Sequence, residues 1–393
     1  MRSRLRQFTN RFVDVYTSGL TGVQFGAQAL FFFVVPSALP SEPSASILLA
    51  YVYASALGQL TPFGLQYLLL RAFVTDDSLR ISRIRGLLWL VVPLALLATL
   101  GYSQLYASES TGHTLFAGVL VVSFSTRAIS SAVLQANNTY HKVQIGTIFA
   151  AALRTLSVLV SRDADPLVVL AIAESVITLG WHVAARSHWV KFDRAVPTAD
   201  DLREAGAFFL SATSRIGLME IDKLLFAAFA SPTAFIAYTL ASKIYAGASA
   251  FVGAYFARET PQVISASTHS DLQRVRTGAI PTTMFGVFTI ALATAGASLF
   301  FAEIWASLAV SAGLLTVALV ANAANTPMLD FIFYNRSVLL RIALQVGGMA
   351  IVVVGTALGS NYIGAVAPAA SVMLASVCTA LALMAMSRRV FSE

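Results

Sequence analysis

Long uncharged apolar runs recur along the whole chain, and they restrict its fold more than any other feature. A bilayer's hydrocarbon core is about 30 Å thick and a helix rises about 1.5 Å per residue, so roughly 20 apolar residues cross it. Runs of that kind lie near 15–35, 46–70, 86–105, 114–135, 143–160 and 166–185, then near 204–229, 233–256, 279–301, 304–325, 337–357 and 362–386. The short-period alternation that builds a membrane barrel is absent from the sequence. The expectation is an all-α integral membrane protein, with twelve transmembrane helices in two six-helix halves around a central cavity. The halves are expected at 1–190 and 204–393, with a cytoplasmic linker at 191–203. They show no strong mutual identity, so an internal repeat is inferred from span count alone.

Composition agrees. Only 11% of residues are charged, against roughly 25% in soluble domains. A net charge of +7 raises the question of a nucleic-acid partner, and the placement of the basic residues answers it. Five of them lie within spans: Arg127, Arg154, Arg215, Lys223 and Lys243. Arg162 lies on one side, and all the others, from Arg2, Arg4, Arg6 and Arg11 to Arg388 and Arg389, fall on the other. That bias is the positive-inside rule, which puts both termini in the cytoplasm, favours an even number of spans and needs no nucleic acid. The opposite loops, such as 36–45, 106–113 and 230–232, are too short for an outer domain. The single cysteine, Cys378, and scattered histidines nominate no metal or cofactor site. No Walker loop, dinucleotide fingerprint or catalytic triad is evident, so no enzyme is expected.

The clearest pointer to function is 203–258, two apolar spans joined at Ser231-Pro232 that keep Arg215, Asp222, Lys223 and Lys243. A charge at the bilayer centre costs about 2.5–3.5 kcal/mol on insertion scales, so a chain that retains several is expected to use them. Counting along the helices puts Arg215 and Lys243 each roughly 15 Å from its membrane edge, at the midplane on antiparallel neighbours. Arg154 and Glu174 fall near the middle of the fifth and sixth spans, and Arg127 in the inner half of the fourth. Four cations facing one anion call for a water-filled cavity or an anionic ligand, although any single cation could serve helix packing instead. Glu220, Asp222 and Lys223 read as a separate structural charge network near the outer rim. The second span, with Gly58, Gln59, Pro62, Gly64 and Gln66, reads either as a bent cavity-lining helix or as close packing. Asn322, Asn325 and Pro327 are expected to end the tenth span.

The segment IDKLLFAAFASPTAFIAYTLASK, Ile221 to Lys243, resembles the start of the second half of polysaccharide flippases of the multidrug, oligosaccharidyl-lipid and polysaccharide exporter superfamily. The resemblance is carried by Asp222, Lys223, Pro232, Tyr238, Ala241 and Lys243, and in the second span, GQLTPFGLQYLLLRAF, by Gly64 and Arg71. It implies a flippase of O-antigen or lipopolysaccharide type in a bacterial inner membrane. The implied substrate is an undecaprenyl-diphosphate-linked oligosaccharide, with membrane lipids around it and a glycan polymerase or other assembly proteins as partners. Arg154, Arg215, Lys243 and Arg127 would bind the diphosphate, since arginine offers paired hydrogen bonds to phosphate oxygens. Glu174 is the candidate for coupling to a proton or sodium ion, alongside transport driven by the membrane potential alone. The alternative is a cation-coupled drug antiporter of the same superfamily, which would present acidic residues to its substrate.

Overall fold

The computed structural model describes residues 23–390 apart from 76, 107–110, 138–139, 162–164, 190–194, 267 and 336–337. The first part of the expected first span lies outside the described residues, as does the side chain of Arg215. Helices account for nearly all that is described. In order they are α1 (Val23–Ala38), α2 (Ser41–Leu60), α3 (Leu65–Val74), α4 (Ser78–Leu87), α5 (Val91–Leu105), α6 (Thr111–Ala136), α7 (Tyr140–Val160) and α8 (Pro166–Trp189). Then follow α9 (Ala199–Ala227), α10 (Pro232–Ser265), α11 (His269–Gly278), α12 (Ile280–Ser298), α13 (Trp305–Asn335), α14 (Val338–Ile363) and α15 (Ala367–Val390).

Among the described residues, 8 stretches are long and apolar enough to cross a membrane, or up to 9 if the bent pair α2 and α3 is one span. One of these stretches, Leu340–Met386, is 47 residues long. That is about 70 Å of helix, more than twice a hydrocarbon core. It is divided into α14 and α15, which pack on each other. The chain is therefore a multi-pass membrane protein by length and composition. α9 fails the hydropathy test because it carries the charges singled out above, and α1 is shorter than a full span.

The chain divides into two compact units. One holds Ser46–Thr213 with the described residues up to Leu39, and the other holds Pro40–Ala45 and Ser214–Glu393. The division falls inside α9, beyond the polar break at 191–203. The reason is local: the first turns of α9 pack into the first unit. Ala205 is buried in one apolar cluster with Leu65, Leu68, Leu69, Ile81 and Ile84 of α3 and α4. Phe209 stacks on Phe63 at 4.8 Å and Phe208 on Tyr67 at 5.8 Å. Glu204 accepts hydrogen bonds from Arg71 and Arg80, and Ala195 N–H donates to the Ser82 carbonyl at 3.1 Å.

The break between α2 and α3 bends the pair by 53°. Two successive residues there have positive φ, Phe63 at 50° and Gly64 at 76°. The side chain of Gln66 reaches back across the break to the Gln59 carbonyl at 3.2 Å, and Thr61 bonds Ser125 of α6. The span is bent, and its glycines are also closely packed: a Cβ at Gly58 would lie 3.1 Å from the Val121 carbonyl. The expected end of the tenth span does not hold: α13 continues through Pro327 to Asn335. Asn322 and Asn325 spend their amides on other helices, Asn322 donating to the Tyr245 hydroxyl at 3.0 Å and Asn325 to the Ser376 carbonyl at 3.3 Å. Proline breaks a helix only when nothing else satisfies and packs the adjoining turns.

In the first unit α6 is central, packing against α3, α5, α7 and α8. In the second, α10 and α13 pack on each other and share α12, while α13 also packs on α15. Two short amphipathic helices, α4 (SLRISRIRGL) and α11 (HSDLQRVRTG), carry one pattern. Ile81, Arg83, Ile84 and Arg85 match Leu272, Arg274, Val275 and Arg276. The apolar members are buried in both. Each helix also begins with a side-chain cap, Asp77 for α4 and Thr268 for α11. This is a shared pattern with two identical arginines, too short to register in span-length hydropathy.

Candidate functional site

The first unit holds one buried charge pair. Glu174 of α8 is fully buried and Arg154 of α7 is 5% exposed. The Nε of Arg154 donates to Glu174 Oε1, and its Nη2 donates to Oε2 at 3.0 Å. The Tyr51 hydroxyl from α2 adds a second donor to Oε1 at 2.8 Å, and Ser123 from α6 a second donor to Oε2 at 2.8 Å. A carboxylate has about four acceptor positions, and here four donors from three neighbouring helices occupy them. The guanidinium is also walled in, with Tyr51 5.6 Å and Phe124 5.4 Å from it, measured to the ring centroids. Sequence reasoning placed Arg154 and Glu174 at one depth. It missed Tyr51 and Ser123, which read as ordinary members of apolar spans.

Arg127 is half-buried on α6, about one turn beyond Ser123 and Phe124. It is also in contact with its surroundings.

The second unit holds a network spanning α9 and α10. Lys223 sits between two carboxylates, its Nζ 3.1 Å from Asp222 Oδ1 and 3.3 Å from Glu220 Oε2. The Tyr238 hydroxyl donates to the other oxygen of Asp222, and the Tyr238 ring meets Phe226 edge-on at 5.8 Å. Asp222 and Lys223 are 2% and 3% exposed, so they are interior groups of the hairpin. The tight Ser231-Pro232 turn sets the register that makes these contacts: Ser231 caps α10 by accepting from Ala234 N–H, and Pro232 occupies its first turn. Lys243, half-buried on α10, feels the charges of Glu220, Lys223 and Asp222. The structure thus brings Glu220, Asp222 and Lys223 together.

Formal charges in these spans can now be grouped. Arg154 with Glu174 is neutral. Lys223 with Glu220 and Asp222 carries one formal negative charge. No group of three or more His, Cys, Asp or Glu side chains suited to a metal ion occurs among the described residues.

No family model matches the chain, and no curated protein matches it. Solved structures do. A multidrug resistance MATE family transporter of the MOP superfamily, in an inward-facing conformation, superposes with a TM-score of 0.73 at 14% identity, covering 94% of each chain. The lipid II flippase MurJ, in an inward closed conformation, gives 0.73 at 12% identity over 96% of this chain and 87% of that one. A MOP superfamily transporter from Pyrococcus furiosus, described as having a binding pocket of reverse polarity that suggests a different function, gives 0.60 at 14% identity over 96% and 95%. At such identities the likeness establishes a shared fold over almost the full length of the chain.

Proposed function

We propose that this chain is a transporter, not an enzyme, and that it flips a polyprenyl-diphosphate-linked oligosaccharide from the cytoplasmic to the outer face of a bacterial inner membrane. In this reading its two halves form twelve spans that alternate access to a central cavity, with both termini in the cytoplasm. Structural neighbours include a multidrug transporter and a lipid II flippase, so the fold leaves the substrate's charge open. The formal charge of the spans, cationic by sequence, favours the flippase.

The observation that carries this reading is the closure of Glu174. A cation exporter needs a carboxylate that its substrate can reach, and Glu174 is fully buried beneath four donors. By formal count the sequence places Arg127, Arg154, Arg215, Lys223 and Lys243 in these spans against Glu174, Glu220 and Asp222, a cationic excess. An anion such as a diphosphate offsets that excess, and guanidinium groups hold it through charge-assisted hydrogen bonds. Arg215, Lys243 and Arg127 are the proposed first contacts. Arg154 joins them only by leaving Glu174, and the carboxylate it leaves behind would then take a proton or sodium ion. That exchange would couple substrate entry to ion movement through Glu174. The O-antigen type of glycan and a partnership with a polymerase rest on the sequence resemblance alone.

The test is surface glycan display in a strain that depends on this chain, comparing wild type with Arg215→Ala and Lys243→Ala at matched membrane abundance. Loss of display with accumulation of lipid-linked oligosaccharide inside is expected. Normal display in both variants, or drug sensitivity as the only defect, overturns the reading.

A further inference from the structure

Apart from the charged spans, the second unit has a shallow cleft between α11, the Pro327 level of α13 and the last turns of α15, of about 70 Å³. Pro327 and Met328 of α13 and Leu383 and Met384 of α15 give it an apolar wall, while Gln273 and Arg276 of α11 stand on its lining. Pro327 has no N–H to return to the Ala323 carbonyl, which leaves that backbone acceptor without its helical partner beside the cleft. Leu383 is 3% exposed and Met384 55% exposed, so the wall runs from the interior of the bundle to its surface. Arg276 is exposed in the last turn of α11.

The twin helix α4 sharpens the comparison. There Arg80 is held by Glu204 and lies 3.7 Å from Asp201, so that helix is fastened to the start of α9. On α11 the matching arginine pair, Arg274 and Arg276, is exposed, and one member lines a cleft. That clamp is made by Arg80, which stands where α11 has Asp271; within the shared pattern itself, Arg83 and Arg85 are half-buried whereas Arg274 and Arg276 are exposed.

We propose that this cleft is a binding site for an anionic glycerophospholipid, with the acyl chain along Met328, Leu383 and Met384 and the phosphodiester at Arg276 and Gln273. An apolar wall ending at a guanidinium matches an amphiphile with a negative head. A single phosphodiester charge matches Arg276, the guanidinium on the lining among the described residues, whereas a diphosphate brings more. Unbranched methionines adapt to chains of varying length. A basic rim at the membrane interface also lies where anionic lipids are in constant supply. This inference is independent of what the transporter carries.

The test is native mass spectrometry of the full chain released from detergent with phosphatidylglycerol, phosphatidylcholine or a short polyprenyl diphosphate. Phosphatidylglycerol should be retained over phosphatidylcholine, and Arg276→Gln should weaken its retention about fivefold. Arg276→Lys, which keeps the charge, should retain it. Arg85→Gln, the same charge change on the twin helix, should leave retention unchanged. Equal retention of both phospholipids, equal loss in Arg85→Gln, or displacement of phosphatidylglycerol by equimolar polyprenyl diphosphate would each overturn the proposal. Arg276 is solvent-exposed, so its substitution removes no buried packing, and a monodisperse elution profile verifies the fold.

Discussion

Around Glu174 the energetics are those of a buried ion pair whose members are both satisfied. Such a pair is of small net value against a well-packed apolar alternative, yet removing one partner leaves an uncompensated charge and costs about 3–5 kcal/mol. Arg154→Met and Glu174→Met should therefore each lower the melting temperature in detergent sharply. The double variant should recover much of the loss, because neither charge is then stranded. A double variant no more stable than the worse single one would show that the two do not act as a pair. Tyr51→Phe removes one of four donors and should cost about 1–3 kcal/mol, as expected for a hydrogen bond to a charged group. From the sequence, depth counting could bring Arg154 and Glu174 to one level, since rise per residue is constant. It could not supply rotation about each helix axis, and rotation decides that Tyr51 and Ser123 point inward.

At the scale of elements, the break after α2 is where backbone conformation is most restricted. Gly64 has φ of 76°, and a Cβ there would lie 2.9 Å from Phe209 N and closer still to the Ala205 carbonyl. The position demands glycine for both its dihedral and the approach of α9. Gly64→Ala should destabilise the first unit by more than the roughly 1–2 kcal/mol of left-handed strain alone, since the clash with α9 adds to it. Gly206→Ala, inside α9 with nothing within 4 Å of the added carbon, should be neutral or slightly stabilising by helix propensity. Thermal melts of the two variants compare these directly, and equal stability would remove the close approach as a constraint. Hydropathy marks where hydrocarbon begins and ends, so it located the apolar cores of the helices but not their ends. α10 runs on to Ser265 and α13 to Asn335, both well past the expected spans. The pattern shared by α4 and α11 was present in the sequence, but a window as long as a bilayer is thick averages out a helix of 10 residues.

For the molecule as a whole, charge asymmetry makes a prediction that does not depend on substrate. The basic loops lie on one side of the expected spans, and reversing a topology with so strong a bias is unfavourable at every helix pair. Cys378 is the single cysteine, so Cys378→Ser gives a background without thiols. In that background, Ser3→Cys, Ser187→Cys and Ser392→Cys should react with a membrane-impermeant maleimide only after the membrane is opened, whereas Ser110→Cys should react in intact cells. Labelling of Ser3→Cys and Ser392→Cys from opposite sides would require an odd number of spans, and the arrangement in two equal halves would fall with it. Labelling of both from one side supports an even number and gives the two arginine-bearing helices a common cytoplasmic face. On that face Arg83 and Arg85 of α4 and Arg274 and Arg276 of α11 would meet the same leaflet, and a cleft lies beside Arg276. Half-buried on α4 and exposed on α11, the two pairs would then differ in how much of that leaflet's headgroup charge they reach.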